Sequence, residues 1–257
     1  MSARSLTIPR ETQFRNILGI RFFTGNASEA VALGSEGRLV VAPAAPALCE
    51  LGRDTAYRQA LLEADLVLTD SGLLVLLWNT LNRDTITRVS GLKYLRTLLS
   101  REELKEPGSS FWVMPSREAM ERNLTWLRAL GCRIGPDDCY VAPHYGRKAI
   151  TDGMLVEQIN QRRSRHVVIC LGGGTQEKLG LYLKQHCAFH PAIHCIGAAI
   201  GFLSGDQVHI PDWADKMMLG WLFRCVSQPR RFVPRYLRAV QLPLVLLRYR
   251  SRSPEVL

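Results

Sequence analysis

The sequence predicts an α/β fold: a mostly parallel sheet with helices on both faces and a helical appendage at the C-terminus. Three observations predict it. Short apolar runs alternate with amphipathic stretches from residue 17 to residue 197. One run, His166-Val-Val-Ile-Cys-Leu171, passes through Gly172, Gly173 and Gly174 directly into a helix start at Thr175-Gln-Glu-Lys178. Beyond Gly197 the strand signal stops, and residues 211–224 and 229–249 read as two helices. The pattern is Rossmann-like, and it divides the chain into an α/β domain over 1–200 and a basic helical appendage over 201–257.

Taken in order, the strand candidates are 17–23, 39–41, 66–69, 110–114, 138–142, 167–171 and 194–197, each a short apolar segment. Helical periodicity falls between them, over 27–33, 55–63, 72–80, 92–99, 117–130, 149–163 and 176–186. No internal repeat and no low-complexity linker interrupts the series.

A chain of 257 residues is long enough for a sizeable core, and its 47% apolar content is ordinary for a globular protein. The first thirteen residues are polar and hold no apolar signal core, so secretion is not expected. Seven cysteines without a CxxC pair suit reduced thiols in a cytoplasm better than disulfides or a zinc ribbon. His186, His190 and His194 recur every fourth residue, but Pro191 breaks the helical spacing that a metal site there needs. No metal and no cofactor is expected.

Charge says more. The net charge is +10, and from Met217 onward there are eight arginines, no lysine and a single acid, Glu255. Those arginines alternate with Trp221, Phe223, Phe232, Leu237, Leu244 and Leu247, among other apolar residues. Such a segment suits a membrane surface, with guanidinium groups at headgroup level and apolar groups below. Nucleic acid is the competing partner; arginine interleaved with long aliphatics favours lipid. A helix that packs its apolar face on the domain and leaves its arginines solvated is the plainer alternative. The run 242–247 is too short to span a bilayer.

Candidate chemistry begins at Asp70, which follows the apolar Leu66-Val-Leu-Thr69 and precedes Ser71-Gly72. A carboxylate at a strand's C-terminal end and a helix mouth is placed to act as a general base, and equally to be an N-cap. Arg88-Val-Ser-Gly91 leads into another helix, and an arginine there can pair with phosphate or remain a surface charge. In Asp137-Asp138-Cys139-Tyr140 the adjacent carboxylates lack metal-ligand partners at a recognisable spacing, so polar strand entry is preferred, and Tyr140 joins the expected substrate-binding residues. The glycine turn 172–174 lets backbone approach a ligand, and the helix start after it attracts anions, although glycines also serve packing alone. Absence of Walker, GxGxxG, GxSxG and HExxH motifs argues against NTPases, NAD enzymes, hydrolases and zincins.

Four tracts in order resemble one family, the WecG/TagA/CpsF glycosyltransferases of bacterial cell-surface polysaccharide synthesis. They are Ala64-Asp-Leu-Val-Leu-Thr-Asp70-Ser-Gly72, Arg88-Val-Ser-Gly91, Cys170-Leu-Gly-Gly-Gly-Thr-Gln-Glu177, and a closing tract. The last comprises Trp221-Leu-Phe-Arg224, Pro229-Arg-Arg231 and Arg235-Tyr236. The resemblance implies an inverting, metal-independent transferase that moves a sugar from a UDP-sugar donor to a sugar on a polyprenyl diphosphate. By matched position, Asp70 is then the base, and Gly172, Gly173, Gly174, Thr175, Gln176 and Glu177 hold the nucleotide end of the donor. Arg88 and Gly91 belong to the substrate site, and Arg224, Arg231 and Arg235 meet the diphosphate. The implied location is peripheral, on the cytoplasmic face of the membrane, with self-association as a further expectation. The chain departs from the family pattern at Ala42-Pro43-Ala44, where the family has Thr-x-Asn, and at Ile200-Gly201, His209-Ile-Pro211, Gly220 and Ser71. An enzyme, a non-catalytic relative that binds nucleotide or lipid diphosphate, and a nucleic-acid-binding protein are the readings these residues leave. Retained Asp70, Gln176, Glu177 and the terminal arginines favour the enzyme.

Overall fold

A computed structural model gives the fold and describes residues 11–146, 150–197, 199–205, 220–227 and 229–254; within that span the side chains of Trp221, Arg224, Arg231, Phe232 and Arg235 lie outside the description. Eight strands form one sheet: β1 (Phe14–Ile17), β2 (Ile20–Phe23), β3 (Leu39–Val41), β4 (Leu66–Leu68), β5 (Ser110–Met114), β6 (Cys139–Val141), β7 (His166–Ile169) and β8 (Ala192–Cys195). Their order is β1-β2-β4-β3-β8-β7-β5-β6. Among the described residues the β1–β2 pair alone is antiparallel and the other pairings are parallel. The loops leaving β2, β4, β3, β8, β7, β5 and β6 therefore share one edge of the sheet. The chain leaves β7 toward β8 and leaves β5 toward β6, in opposite directions across the sheet. Such divergence opens the crevice in which α/β proteins hold ligands.

The helices are α1 (Ala27–Gly34), α2 (Ala45–Leu48), α3 (Thr55–Leu62), α4 (Gly72–Asn82), α5 (Gly91–Leu99), α6 (Arg117–Ala129), α7 (Gly153–Arg162) and α8 (Thr175–His186). After β8 come α9 (Ala199–Ser204), α10 (Gly220–Ser227), α11 (Pro229–Ala239) and α12 (Leu242–Tyr249). Alternate strand residues feed two cores. Val41, Val67, Val113, Ile169 and Ile193 meet α2, α3, α4, α7, α8 and α12 on one face. Val40, Leu66, Trp112, Met114 and Val168 meet α1, α5, α6 and α9 on the other. The three-layer α/β expectation holds.

Several elements differ from the sequence reading. The segment expected as one strand over 17–23 holds the end of β1, a two-residue turn and β2. Leu18 (φ 54°) and Gly19 (φ 74°) both take the left-handed conformation that a tight two-residue turn requires. Leu18 is fully buried, and the amides of Leu18 and Gly19 donate to the carbonyls of Arg250 (2.7 Å) and Ser251 (3.1 Å). A turn covered by the chain's own C-terminus stays apolar, so no polar turn signal marks it. β7 and β8 start earlier than expected because His166 pairs with Ser110 and Ala192, whereas Leu171 and Ile196 have already left the ladder. α7 begins at Gly153, since Asp152 caps it by accepting from the Leu155 amide at 3.0 Å. The helix expected over 229–249 is two helices, broken at Val240-Gln241 with Pro243 in the first turn of α12. The short α2 and α9 carry too little periodicity to be read from sequence. Of the helix expected over 211–224, only residues from Gly220 lie among the described ones.

α12 is docked on the domain. Leu242 and Leu246 sit in the core, each burial worth about 2 kcal/mol, while Leu244 (69% exposed) and Leu247 (52% exposed) face outward. No helix among the described residues is long and apolar enough to cross a membrane.

Candidate active site

The site forms where β4, β3, β8 and β7 end side by side. β4 is buried throughout, and Thr69 just beyond it is fully buried. Thr69 Oγ1 donates to the Thr87 carbonyl (2.8 Å) and accepts from the Val89 amide (3.1 Å), tying the segment before α5 to the end of β4. Asp70 emerges next, half-buried.

Asp70 is not the cap of α4. Ser71 holds that position, its Oγ accepting from the Leu74 amide at 3.1 Å, and Ser90 caps α5 on the Lys93 amide at 3.1 Å. With both capping tasks filled by serines, the Asp70 carboxylate takes a different partner. Its Oδ1 accepts from the Gly91 amide at 2.9 Å, in the first turn of α5. Its backbone carbonyl accepts from Arg88 Nε at 2.7 Å, which fixes the main chain beneath the carboxylate. No described residue bonds Oδ2. One oxygen is oriented and the other is left unbonded by the described residues, an arrangement that suits a proton acceptor.

Gly91 sits at a close approach, where a side chain would crowd one backbone carbonyl. A Cβ there would lie 3.2 Å from the Ile196 carbonyl, 3.6 Å from Ala42 Cβ and 3.9 Å from Asp70 Oδ1. Those three neighbours come from the ends of β8, β3 and β4, so Gly91 is where the strand termini converge. Ala42 donates its own amide to the Cys195 carbonyl (3.2 Å) and is 7% exposed. The Ala42-Pro43-Ala44 departure from the family pattern thus gives this wall of the site an apolar lining.

The glycine turn joins the same assembly through one residue. Gln176 is 2% exposed, and its Oε1 accepts from the Gly197 amide at 2.5 Å, directly after β8. Gln176 Nε2 donates to Glu177 Oε1 (3.1 Å), and Glu177 Oε2 accepts from the Gly174 amide (2.6 Å). Glu177 is completely buried. Gln176 and Glu177 therefore brace the turn from beneath, and the surface they hold up is backbone. Gly174 has φ +92°, and no described atom lies within 4 Å of a Cβ placed at Gly172 or Gly174. Space above the turn, with the amides of a helix start below it, is the setting in which backbone binds a phosphate.

The remaining expected residues lie elsewhere. Tyr140 is on β6, at the sheet edge farthest from the hairpin, and its hydroxyl donates to Asp152 Oδ2 (2.9 Å) beside that of Tyr145 (2.5 Å). Burial, together with the Asp152 carboxylate, pushes the Tyr140 hydroxyl up to about 12. The structure does not bring Tyr140 to Asp70. Thr175 is half-exposed at the start of α8. Arg224 falls on α10, and Arg231 and Arg235 on α11; the placement of their side chains lies outside the described residues. The three spaced histidines separate. His186 bonds the Tyr182 carbonyl at the end of α8, His190 is exposed, and His194 is buried on β8.

Sequence reasoning passed over Gly197, whose φ of +64° and amide link the two halves of the site; its signal was a lone glycine just after a strand. It also passed over a buried chain of side chains under α5. Tyr94, one turn into α5, has its hydroxyl 2.9 Å from His194 Nδ1, and His194 Nε2 lies 3.1 Å from His166 Nδ1. His166 Nε2 then points toward Glu103 Oε1 at 3.7 Å. One set of neutral tautomers pairs the three rings: Tyr94 donates to His194, and His194 donates to His166, whose buried Nε2 has no hydrogen-bond partner among the described residues. Desolvation lowers both imidazoles, His166 to about 4 despite the opposing Glu103, and His194 well below its ordinary value.

A carboxylate oriented by a helix amide and a glycine turn with open space above it thus share the sheet's carboxyl edge, where α/β proteins hold ligands. Residues 15–255 match the model of the glycosyl transferase WecG/TagA/CpsF family. The chain belongs to that family. A search of curated proteins found no match. As a WecG/TagA/CpsF-type glycosyltransferase, the protein acts in cell-surface polysaccharide synthesis, with a nucleotide sugar as donor and a lipid-linked acceptor as the family's general pattern. The match spans the appendage as well as the sheet, so α10, α11 and α12 belong to the family unit.

Proposed function

We propose that this WecG/TagA/CpsF-type protein is an inverting transferase that moves a sugar from a UDP-sugar to a sugar carried on polyprenyl diphosphate. Asp70 Oδ2 takes the proton of the acceptor hydroxyl. The freed oxygen attacks the anomeric carbon from the side opposite the diphosphate, and the bond from that carbon to UDP breaks. The turn from Gly172 to Glu177 seats the donor's diphosphate on backbone amides. Arg224, Arg231 and Arg235 supply the positive charge that stabilises the departing UDP or the acceptor diphosphate. The α/β domain over 1–200 carries the chemistry, and the segment 201–257 holds the enzyme to the cytoplasmic face of the membrane.

One observation carries this reading. Ser71 and Ser90 do the capping, and among the described residues the Asp70 carboxylate is held by Gly91 through one oxygen. A carboxylate kept for structure at such a place is expected to bond the helix it precedes, and this one does not. The test is transfer from a panel of radiolabelled UDP-sugars to endogenous lipid in isolated membranes, wild type against Asp70→Asn. Wild type forms lipid-linked product with at least one donor, and the variant loses about 10²–10⁴-fold in rate, the usual weight of a general base. Absence of product with every donor, acceptor being present, would sink the catalytic reading.

A second reading, a non-catalytic relative that binds nucleotide or lipid diphosphate, draws on the apolar wall at Ala42, where the family pattern carries polar side chains. UDP binding without transfer would favour it.

A further inference from the structure

The helix that begins at the proposed base has an outer face with no assigned purpose. α4 (Gly-Leu-Leu-Val-Leu-Leu-Trp-Asn-Thr-Leu-Asn) contains no charged residue. Its Leu74, Val75 and Trp78 are in the core, while Leu73, Leu76 and Leu81 are 37%, 58% and 41% exposed. α12 packs directly against α4. It repeats the pattern, with Leu242 and Leu246 inward and Leu244 and Leu247 outward. Single exposed leucines need no explanation, but rows of them on two contacting helices do.

We propose that α4 and α12 together form a lipid-facing surface, so that the helix starting at Gly72 rests in the headgroup layer of an anionic bilayer. Charge chooses the occupant. Arg248, Arg250 and Arg252 border the leucines of α12, and Arg230 and Arg238 precede them, all exposed. From residue 217 to the end of the chain the only acid is Glu255. A second copy of the chain would set this arginine-rich segment against itself. Anionic lipid neutralises it and takes up the leucines at the same depth. The proposal goes beyond attachment by the C-terminal segment: it places the Asp70 end of α4 at the membrane plane. Resting on the functional reading above, it means that a lipid-borne acceptor reaches Asp70 with its diphosphate still at headgroup level.

The test needs neither donor nor acceptor, so its failure leaves the transferase reading intact, and failure of transfer leaves this one intact. The full chain carrying Leu76→Trp is mixed with phosphatidylglycerol–phosphatidylcholine vesicles that have brominated acyl chains, and the wild-type signal of the native tryptophans is subtracted. The added emission shifts to the blue and is quenched. A double variant, Leu73→Glu with Leu76→Glu, floats with such vesicles at least tenfold less than wild type. Leu130→Glu, an exposed leucine at the end of α6, floats as wild type does. Wild type that ignores anionic vesicles overturns the proposal. So does binding in which the introduced indole stays unquenched and the double variant floats normally. A concentration-dependent dimer in sedimentation, dissolved by the double variant without change in flotation, would instead make α4 a protein contact. Should the double variant fail to fold, quenching of the Leu76→Trp chain decides alone.

Discussion

Acidification tests the buried histidine pair in a window that few other groups share. His166 and His194 have no exposure in the fold, and desolvation keeps both neutral. In the unfolded chain each regains an ordinary imidazole near 6.5. The unfolded state therefore binds protons that the native state refuses, and stability falls as pH drops below 6.5 toward the folded value of about 4 for His166. For His166 alone the loss is about 2 kcal/mol at pH 5 and approaches roughly 3 kcal/mol at pH 4. His194 adds loss of the same sign. The lowered carboxylates, Asp84, Glu103 and Glu118, act only below their ordinary values of 3.8 and 4.5. Between pH 6.5 and 5 the slope belongs chiefly to the imidazoles. Urea unfolding followed by circular dichroism at pH 7.5 and pH 5 reads it, and the midpoint should fall by on the order of 1 M at the usual urea sensitivity. His166→Gln lowers stability at pH 7.5, because His194 loses a buried partner. It also flattens the loss between the two pH values by about 2 kcal/mol. A wild-type midpoint that does not move, or a variant slope equal to that of wild type, would refute the claim that the pair folds buried and neutral.

Other outcomes follow from the site and the appendage. Glu177→Gln replaces a fully buried acceptor of two hydrogen bonds with a group that can accept through one oxygen only. The turn should loosen, raising the donor KM more than it lowers kcat, as steady-state kinetics at varied UDP-sugar would show. Gly174→Ala meets no described atom within 4 Å but holds a φ of +92°; backbone strain alone should lower thermal stability by about 1–3 kcal/mol. Replacing Arg248, Arg250 and Arg252 with glutamate should release the protein from anionic vesicles at physiological salt, as flotation reads. This substitution tests the appendage more cleanly than deleting 226–257. Deletion would remove Leu242 and Leu246 from the core and the carbonyls that hold the β1–β2 turn, and so unfold what it means to probe.

Much of the frame was legible in the chain. β3 and β5 fall at the bounds read from sequence, because a short apolar run between polar segments has few other ways to bury itself. Helix starts at Ala27, Thr55, Gly72 and Arg117 were legible for the same reason, each with its capping side chain one residue before it. The hairpin was not, since Leu18 and Gly19 form a turn whose apolar side chain is hidden by residues 250–253, far away in sequence. α12 was legible as amphipathic but not as docked, because periodicity gives a helix two faces without saying what either meets.

The same division runs through the site. By itself the sequence determined that a carboxylate ends a strand, that three glycines precede a helix, that arginine fills the C-terminus, and which family the tracts resemble. Each of those is read from neighbours along the chain, or from short tracts taken in order. Tertiary structure alone decided what the residues do to one another. It gave the capping of α4 to Ser71 and so released Asp70 to Gly91, twenty-one residues on. It made Gln176 and Glu177 supports for the glycine turn and tied that turn to β8 through Gly197. It set Tyr94 against His194, a hundred residues apart. The physical reason is that a hydrogen bond depends on distance in space, and parallel strands joined by long crossovers bring together groups that no local spacing can pair.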